Sequence, residues 1–88
     1  MSNNEGVTVY WRPGCPYCMR LRLALRLRRL PRTEVNIWEN ADAAAFVRSV
    51  ADGNETVPTV VVAGHAMVNP SPGTVMAEVR GRAPHLLT

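Results

Sequence analysis

The 88-residue sequence contains only two cysteines, too few for the disulfide framework that holds small secreted domains together. The chain must therefore fold on its hydrophobic residues, which make up 47 % of the sequence, and it suits a reducing compartment. Residues 1–6 are polar, with neither the basic segment nor the apolar run of a signal peptide. No apolar stretch is long enough to cross a bilayer. We therefore expect a cytoplasmic protein with no membrane partner.

Lysine is absent, and all ten basic residues are arginines. Six of them fall between Arg20 and Arg32, which raises the question of a nucleic-acid-binding patch. Aromatic residues are not interleaved with these arginines, and the segment coincides with a predicted helix whose outer face must be solvated. We therefore expect no nucleic-acid partner.

The sequence also has no second cysteine pair that could complete a zinc site. Structural zinc needs four ligands as a rule, and the remaining candidates, His65 and His85, are twenty residues apart. We therefore expect no metal.

The two cysteines that are present, Cys15 and Cys18, form a C-x-x-C motif between a predicted strand at Val7–Trp11 and a predicted helix. A C-x-x-C at a strand-to-helix junction is typical of thiol–disulfide redox proteins. Unpaired N–H groups and the dipole at a helix N-terminus stabilise a thiolate, and Pro16 suits the first helical position. Cys15 is thus the candidate nucleophile. Cys18, one turn further on, is either the resolving thiol or a buried structural cysteine.

The remaining pattern alternates strands and helices in the order βαβαββα. Residues 19–30 contain no Gly, Pro or β-branched residue, so they predict a helix that ends at Pro31. Its core face should hold Cys18, Leu21, Ala24 and Leu25, and the last helix should cover Met19, Leu23 and Leu27. The other predicted elements are a strand at 33–38, a helix capped by Asn40, a hairpin of strands at 59–62 and 66–68, and a last helix from Ser71 to Gly81.

These motifs resemble those of the glutaredoxins, which commonly carry a basic residue three positions before a CPYC site and a Thr-Val-Pro in the second half. Here they are Arg12, Cys15-Pro16-Tyr17-Cys18 and Thr56-Val57-Pro58. The resemblance covers about residues 7–80 and, within residues 39–72, is greatest to the mycoredoxins. It implies an α/β, thioredoxin-like fold with a four-stranded mixed sheet flanked by three helices. We expect residues 1–88 to form a single domain, with 1–6 as a loose tail.

The resemblance also implies an enzyme that reduces mixed disulfides between proteins and a low-molecular-weight thiol. Its partners would be disulfide-containing or S-thiolated proteins, and it would act as a monomer without a bound cofactor. The small-thiol co-substrate would be mycothiol rather than glutathione. Two alternatives stay open: an electron donor to ribonucleotide reductase, and an Fe–S cluster carrier that uses Cys15. A visible absorption band in anaerobic protein would identify the carrier.

The resemblance further implies a set of substrate-binding residues around the two cysteines. A cis Val57–Pro58 bond would expose the Val57 backbone beside Cys15, where a substrate chain can pair with it, although a rigid turn is the simpler alternative. Asn69 and the residues after it replace the acidic positions with which glutathione-dependent members meet the glutathione amine. We expect Trp11 near the site and Trp38 away from it. The predicted substrate-binding residues are Arg12, Tyr17, Thr56, Val57, Pro58, Asn69 and Ser71.

Overall fold

The computed structural model describes residues 6–87. The loose tail predicted for residues 1–6 lies outside the described residues, apart from Gly6. The elements in chain order are β1 (Val7–Trp11), α1 (Pro16–Leu27), β2 (Thr33–Asn36), α2 (Ala41–Val50), β3 (Thr59–Val62), β4 (His65–Val68) and α3 (Pro72–Arg82), followed by a 3-10 helix at Pro84–Leu87.

The four strands form one mixed sheet in the order β2-β1-β3-β4. Strand β1 is parallel to β2 and antiparallel to β3, so Val9 lies between Glu34 on one side and Val60 on the other. Strand β4 continues the sheet antiparallel to β3. The predicted element order and the predicted four-stranded mixed sheet with three helices are therefore confirmed for the described part of the chain.

Helices cover both faces of this sheet. Successive residues of a strand point to opposite faces, so neighbouring residues of β1 show which helices pack on each side. Val9 packs in a cluster with residues of α1 and α3, including Leu21 and Val75. Its neighbour Tyr10 packs in a second cluster with residues of α2, including Val47. Helices α1 and α3 therefore lie on one face of the sheet, and α2 lies on the other.

Helix α1 ends at Leu27, three residues before the predicted end. The N–H of Arg28 still donates to a carbonyl of the helix, but Arg29 has a positive φ of 55°, so the helix stops before Pro31 is reached. The predicted core face is buried at Cys18, Leu21 and Leu25. The prediction that the last helix covers the other apolar side is wrong, because Met19, Leu23 and Leu27 are 52, 56 and 74 % exposed.

Two strand boundaries also differ from the prediction. Strand β2 ends at Asn36 instead of residue 38, because the Asn36 side chain accepts a hydrogen bond from the Trp38 N–H at 2.9 Å and turns the chain. Strand β4 begins at His65, because the hairpin needs only Ala63 and Gly64 as its loop. Both have positive φ, as in the tight turns that fit twisted strands. No helix within residues 6–87 is long and apolar enough to cross a membrane.

Candidate active site

Cys15 is the N-cap residue of α1, with extended backbone angles (φ −97°, ψ 107°), and Pro16 opens the helix. Its Sγ atom accepts a hydrogen bond from the backbone N–H of Cys18 at 3.2 Å. One of the N–H groups that a helix start leaves unpaired thus points at this sulfur, and the helix dipole adds to its effect. Both features suit a nucleophilic sulfur, the role that the C-x-x-C motif predicts for Cys15.

Both cysteines are buried, Cys15 at 3 % exposure and Cys18 at 0 %. Burial raises the pKa of the Cys18 thiol from the ordinary value of 9.0 to about 12, and a hydrogen bond with Cys15 adds to the rise. A backbone hydrogen bond with Arg12 and the positive charge of Arg12 lower the pKa of Cys18, but by less than burial raises it. The Cys18 sulfur therefore stays protonated at neutral pH and can donate its hydrogen towards Cys15.

The Thr56-Val57-Pro58 segment lies against the first cysteine. The Val57–Pro58 bond is cis, which confirms what the family resemblance implies, and Cys15 Sγ lies 3.7 Å from the Val57 carbonyl oxygen. The Val57 N–H has no hydrogen-bond partner among residues 6–87. The Thr56 oxygen is occupied by the Thr59 hydroxyl at 2.8 Å. The Val57 N–H is therefore free to pair with a substrate.

A pocket of about 260 Å³ opens beside the start of α1. It brings together three residues that the sequence predicted for substrate binding: Tyr17, Asn69 and Ser71. Tyr17 is 63 % exposed, so its ring is at the surface as expected. The fourth polar lining residue, Arg20, was not predicted, although it lies three residues after Tyr17 and thus on the same side of the helix.

The wall of this pocket that follows β4 is fixed by backbone hydrogen bonds and a helix cap. Asn69 has a positive φ of 52°, which asparagine tolerates better than most residues, and its N–H donates to the Pro58 carbonyl at 2.7 Å. Ser71 caps α3 by accepting the Thr74 N–H at 3.1 Å. The loop before α3 is thereby joined directly to the cis-proline segment.

Arg12 is not among the residues that line the pocket. Its guanidinium group donates to the Pro13 carbonyl at 3.1 Å and lies 5.7 Å from the ring centroid of Trp38. Trp38, which was expected away from the site, thus lies beside Arg12. The early end of β2 returns this tryptophan towards the residue three positions before Cys15.

The sheet, its flanking helices and a C-x-x-C motif at the start of α1 beside a cis-proline define a thioredoxin-like thiol–disulfide oxidoreductase. The family profile described as Glutaredoxin matches residues 7–67. The chain belongs to the glutaredoxin family, and it is an enzyme of the disulfide-reductase type.

Two curated relatives cover most of the chain. A Mycobacterium tuberculosis protein, Rv3198A, whose name places it among the glutaredoxins, is 46 % identical over 74 residues, which are 83 % of this chain and 88 % of that protein. Mycoredoxin 1 of Corynebacterium glutamicum is 36 % identical over 84 residues, which are 94 % of this chain and all of that protein.

Solved structures of glutaredoxins share the fold. The glutaredoxin Grx-1 of Archaeoglobus fulgidus superposes with a TM-score of 0.73 at 22 % identity and covers 88 % of each chain. A buckwheat glutaredoxin in complex with glutathione gives a TM-score of 0.65 at 21 % identity, over 97 % of this chain and 78 % of that one. At this level of identity these matches support the fold alone.

Proposed function

We propose that this protein reduces mixed disulfides between proteins and a low-molecular-weight thiol, with Cys15 as the nucleophile and mycothiol as the small thiol. The observation that carries the proposal is the hydrogen bond from the Cys18 N–H to Cys15 Sγ at the start of α1. It stabilises negative charge on that sulfur before any substrate is bound.

In the first step the Cys15 thiolate attacks the small-thiol sulfur of the mixed disulfide. The sulfur–sulfur bond to the protein breaks, and the protein sulfur leaves with the electron pair and takes up a proton. Cys15 is now joined to the small thiol by a new disulfide. A second small-thiol molecule then attacks the same small-thiol sulfur, which frees Cys15 and releases the symmetrical small-thiol disulfide. Overall, the mixed disulfide and one free small-thiol molecule become the reduced protein and the symmetrical small-thiol disulfide.

Cys18 has a supporting part in this sequence. Its raised pKa keeps it a thiol at neutral pH, so it is a poor competitor for the first attack. A protonated sulfur next to Cys15 can instead stabilise the thiolate when Cys15 leaves. Val57 would align the substrate chain through its free backbone N–H, while Arg12 and Tyr17 would contact the incoming small thiol. We place the reaction in the cytoplasm, because both cysteines must be reduced for it to begin.

The choice of mycothiol rests on the chemistry of the pocket between Tyr17 and Ser71. Glutathione carries a charged amine, whereas mycothiol has an acetylated amine and sugar hydroxyls in its place. No carboxylate lines the pocket, and its one charged residue, Arg20, repels an ammonium group. Glu78, the acidic residue of α3, is already paired with Arg82 at 2.6 Å. The neutral amide of Asn69 and the hydroxyl of Ser71 suit a sugar. The relative named Mycoredoxin 1 supports the same choice.

The test compares mycothiol and glutathione on matched substrates. One protein is prepared as its mixed disulfide with each thiol, and each form is reduced by the purified enzyme with the corresponding free thiol. We expect a higher kcat/KM with mycothiol. A higher kcat/KM with glutathione would contradict the assignment of the small thiol, and no release of protein thiol with either would contradict the proposed reaction.

A further inference from the structure

One side of α1 carries an apolar stripe that the rest of residues 6–87 leaves uncovered. Met19, Leu23 and Leu27 follow one another at intervals of four residues, so they lie along one side of the helix over about 12 Å. Each of them is more than half exposed, whereas Leu21 and Leu25 on the core face are buried. The stripe is therefore a surface feature and not a part of the core.

A groove of about 530 Å³ runs beside this stripe, between α1 and the edge strand β2. Apart from the apolar side chains of Met19 and Leu23, its walls are charged. They are formed by Arg22, Arg26, Arg32 and Glu34.

Two of these arginines are held in place before any partner arrives. Arg22 donates to Glu34 Oε1 at 2.9 Å and stacks over the Trp11 ring at 3.8 Å. Arg32 donates to the other oxygen of Glu34 at 2.7 Å and to the Leu30 carbonyl at 3.1 Å. Such fixed guanidinium groups lose little freedom when an anion binds to them.

The groove has a net positive charge, with three arginines against one glutamate. Burial acts to raise the pKa of the Glu34 carboxyl, but hydrogen bonds from Arg32 and Arg22 outweigh it and hold the pKa below its ordinary value. Both Glu34 oxygens are thereby occupied, and the side chain of Arg26 has no hydrogen-bond or ion-pair partner among residues 6–87. Residues 16–33 contain six arginines and no acidic residue. This charge selects an acidic partner.

We propose that the Met19–Leu23–Leu27 stripe and its groove bind an acidic amphipathic helix of a protein substrate. Apolar residues of that helix would cover the stripe, and its carboxylates would meet Arg22 and Arg26, as in other helix-in-groove complexes. The apolar stripe offers nothing to a phosphate backbone, and a second copy of this chain would bring arginines against arginines. That the partner is a substrate rests on the proposed function, since the stripe begins one turn after Cys15.

The test uses two peptides of about 16 residues, long enough for four helical turns. Both carry leucines at four-residue spacing; one has glutamates beside them and its twin has arginines. Each is joined through a terminal cysteine to mycothiol, and kcat/KM for release of the peptide thiol is measured. We expect the acidic peptide to be released at least about tenfold more efficiently than its twin, and the difference to shrink at high salt. Equal values for the two peptides would overturn the proposal.

Substitutions locate the effect. Leu23→Glu and Arg26→Glu should each remove most of the preference for the acidic peptide. Arg80→Glu, a change at another exposed arginine, on α3, should behave like the wild type. An equal loss in Arg80→Glu would show a general charge effect and overturn the docking surface. The docking surface would also be overturned if Leu23→Glu abolished self-association, or binding of a short DNA duplex, but left the preference for the acidic peptide unchanged.

A small mixed disulfide without a peptide separates this proposal from the proposed function. If the wild type does not reduce it, the proposed reaction fails. Docking is then decided by fluorescence anisotropy with the labelled acidic peptide, which needs no turnover. Binding that Arg26→Glu weakens and Arg80→Glu does not would support the surface, and no binding would overturn it.

Discussion

The backbone N–H of Cys18 donates a hydrogen bond to the Sγ atom of Cys15 at 3.2 Å, although the Cys18 side chain itself is fully buried. The donor is a peptide group, so the bond does not depend on the Cys18 thiol. Two sulfurs separated by two residues thus differ in role. Cys15 receives the stabilisation of the helix start, and Cys18 remains a protonated thiol.

This asymmetry predicts unequal effects of the two serine substitutions on mixed-disulfide reduction. Cys15→Ser should lower the activity to background, because no nucleophile remains. Cys18→Ser should keep activity within about tenfold of the wild type, because it loses only a side-chain hydrogen bond, of roughly 0.5–1.5 kcal/mol. Release of the protein thiol in the presence of free mycothiol measures both. An equal loss in the two variants would contradict the assignment of Cys15 as the nucleophile.

The buried Cys18 thiol also predicts how stability changes at alkaline pH. The unfolded chain ionises this thiol above its ordinary pKa of 9.0, whereas the folded chain keeps it protonated up to about pH 12. The unfolded state therefore binds fewer protons in this window, and the free energy of unfolding falls as pH rises. From Cys18 alone, we expect a loss of about 1.4 kcal/mol between pH 8 and pH 10.

The control for this effect is Cys18→Ala, which lacks the titrating group. Tyr10, whose pKa is also raised by burial, is present in both proteins and cancels in the comparison. Urea unfolding under reducing conditions at pH 8, 9 and 10 gives, for each protein, the slope of the free energy of unfolding against pH. Parallel slopes for wild type and variant would contradict the raised pKa of Cys18.

The fold was predictable because local patterns and long-range packing agree along most of the chain. Asn40 and Ser71 cap their helices as expected, accepting the N–H groups of Ala43 and Thr74. The end of α1 was not predictable in this way. It depends on Arg29 adopting a positive φ, and neither glycine nor asparagine marks that position in the sequence.

The candidate site was predictable where it depends on a motif and unpredictable where it depends on how loops fold back. The cis-proline segment beside Cys15 follows from the family resemblance, and so does the grouping of Tyr17 with Ser71. Two features were missed: Arg20 as a lining residue of the pocket, and the contact between Trp38 and Arg12. Both depend on tertiary structure, the first on the position of the loop before α3 and the second on the turn at Asn36.

The contact between Arg12 and Trp38 predicts which tryptophan reports on the reaction. A small thiol attached to Cys15 should change the surroundings of Arg12 and, through it, the fluorescence of Trp38. Trp11 is already covered by the guanidinium of Arg22 at 3.8 Å and should change little. We expect Trp38→Phe to lose most of the fluorescence change on forming the mixed disulfide and Trp11→Phe to keep it. The reverse result would place the small thiol away from Arg12.

The pocket beside Ser71 predicts a substitution that changes thiol preference without unfolding the protein. Ser71→Asp keeps a good N-cap for α3 and adds a carboxylate that can pair with the glutathione amine. A hydrogen bond to a charged group contributes roughly 1.5–3 kcal/mol, so the ratio of kcat/KM for glutathione to that for mycothiol should rise about tenfold or more. Ser71→Asn is the matched control, because it also caps the helix but carries no charge. Thermal melting should be similar in all three proteins. If the glutathione-to-mycothiol ratio rose equally in Ser71→Asn, or rose in neither variant, the prediction would be contradicted. This pocket would then not hold the amine-bearing end of the small thiol.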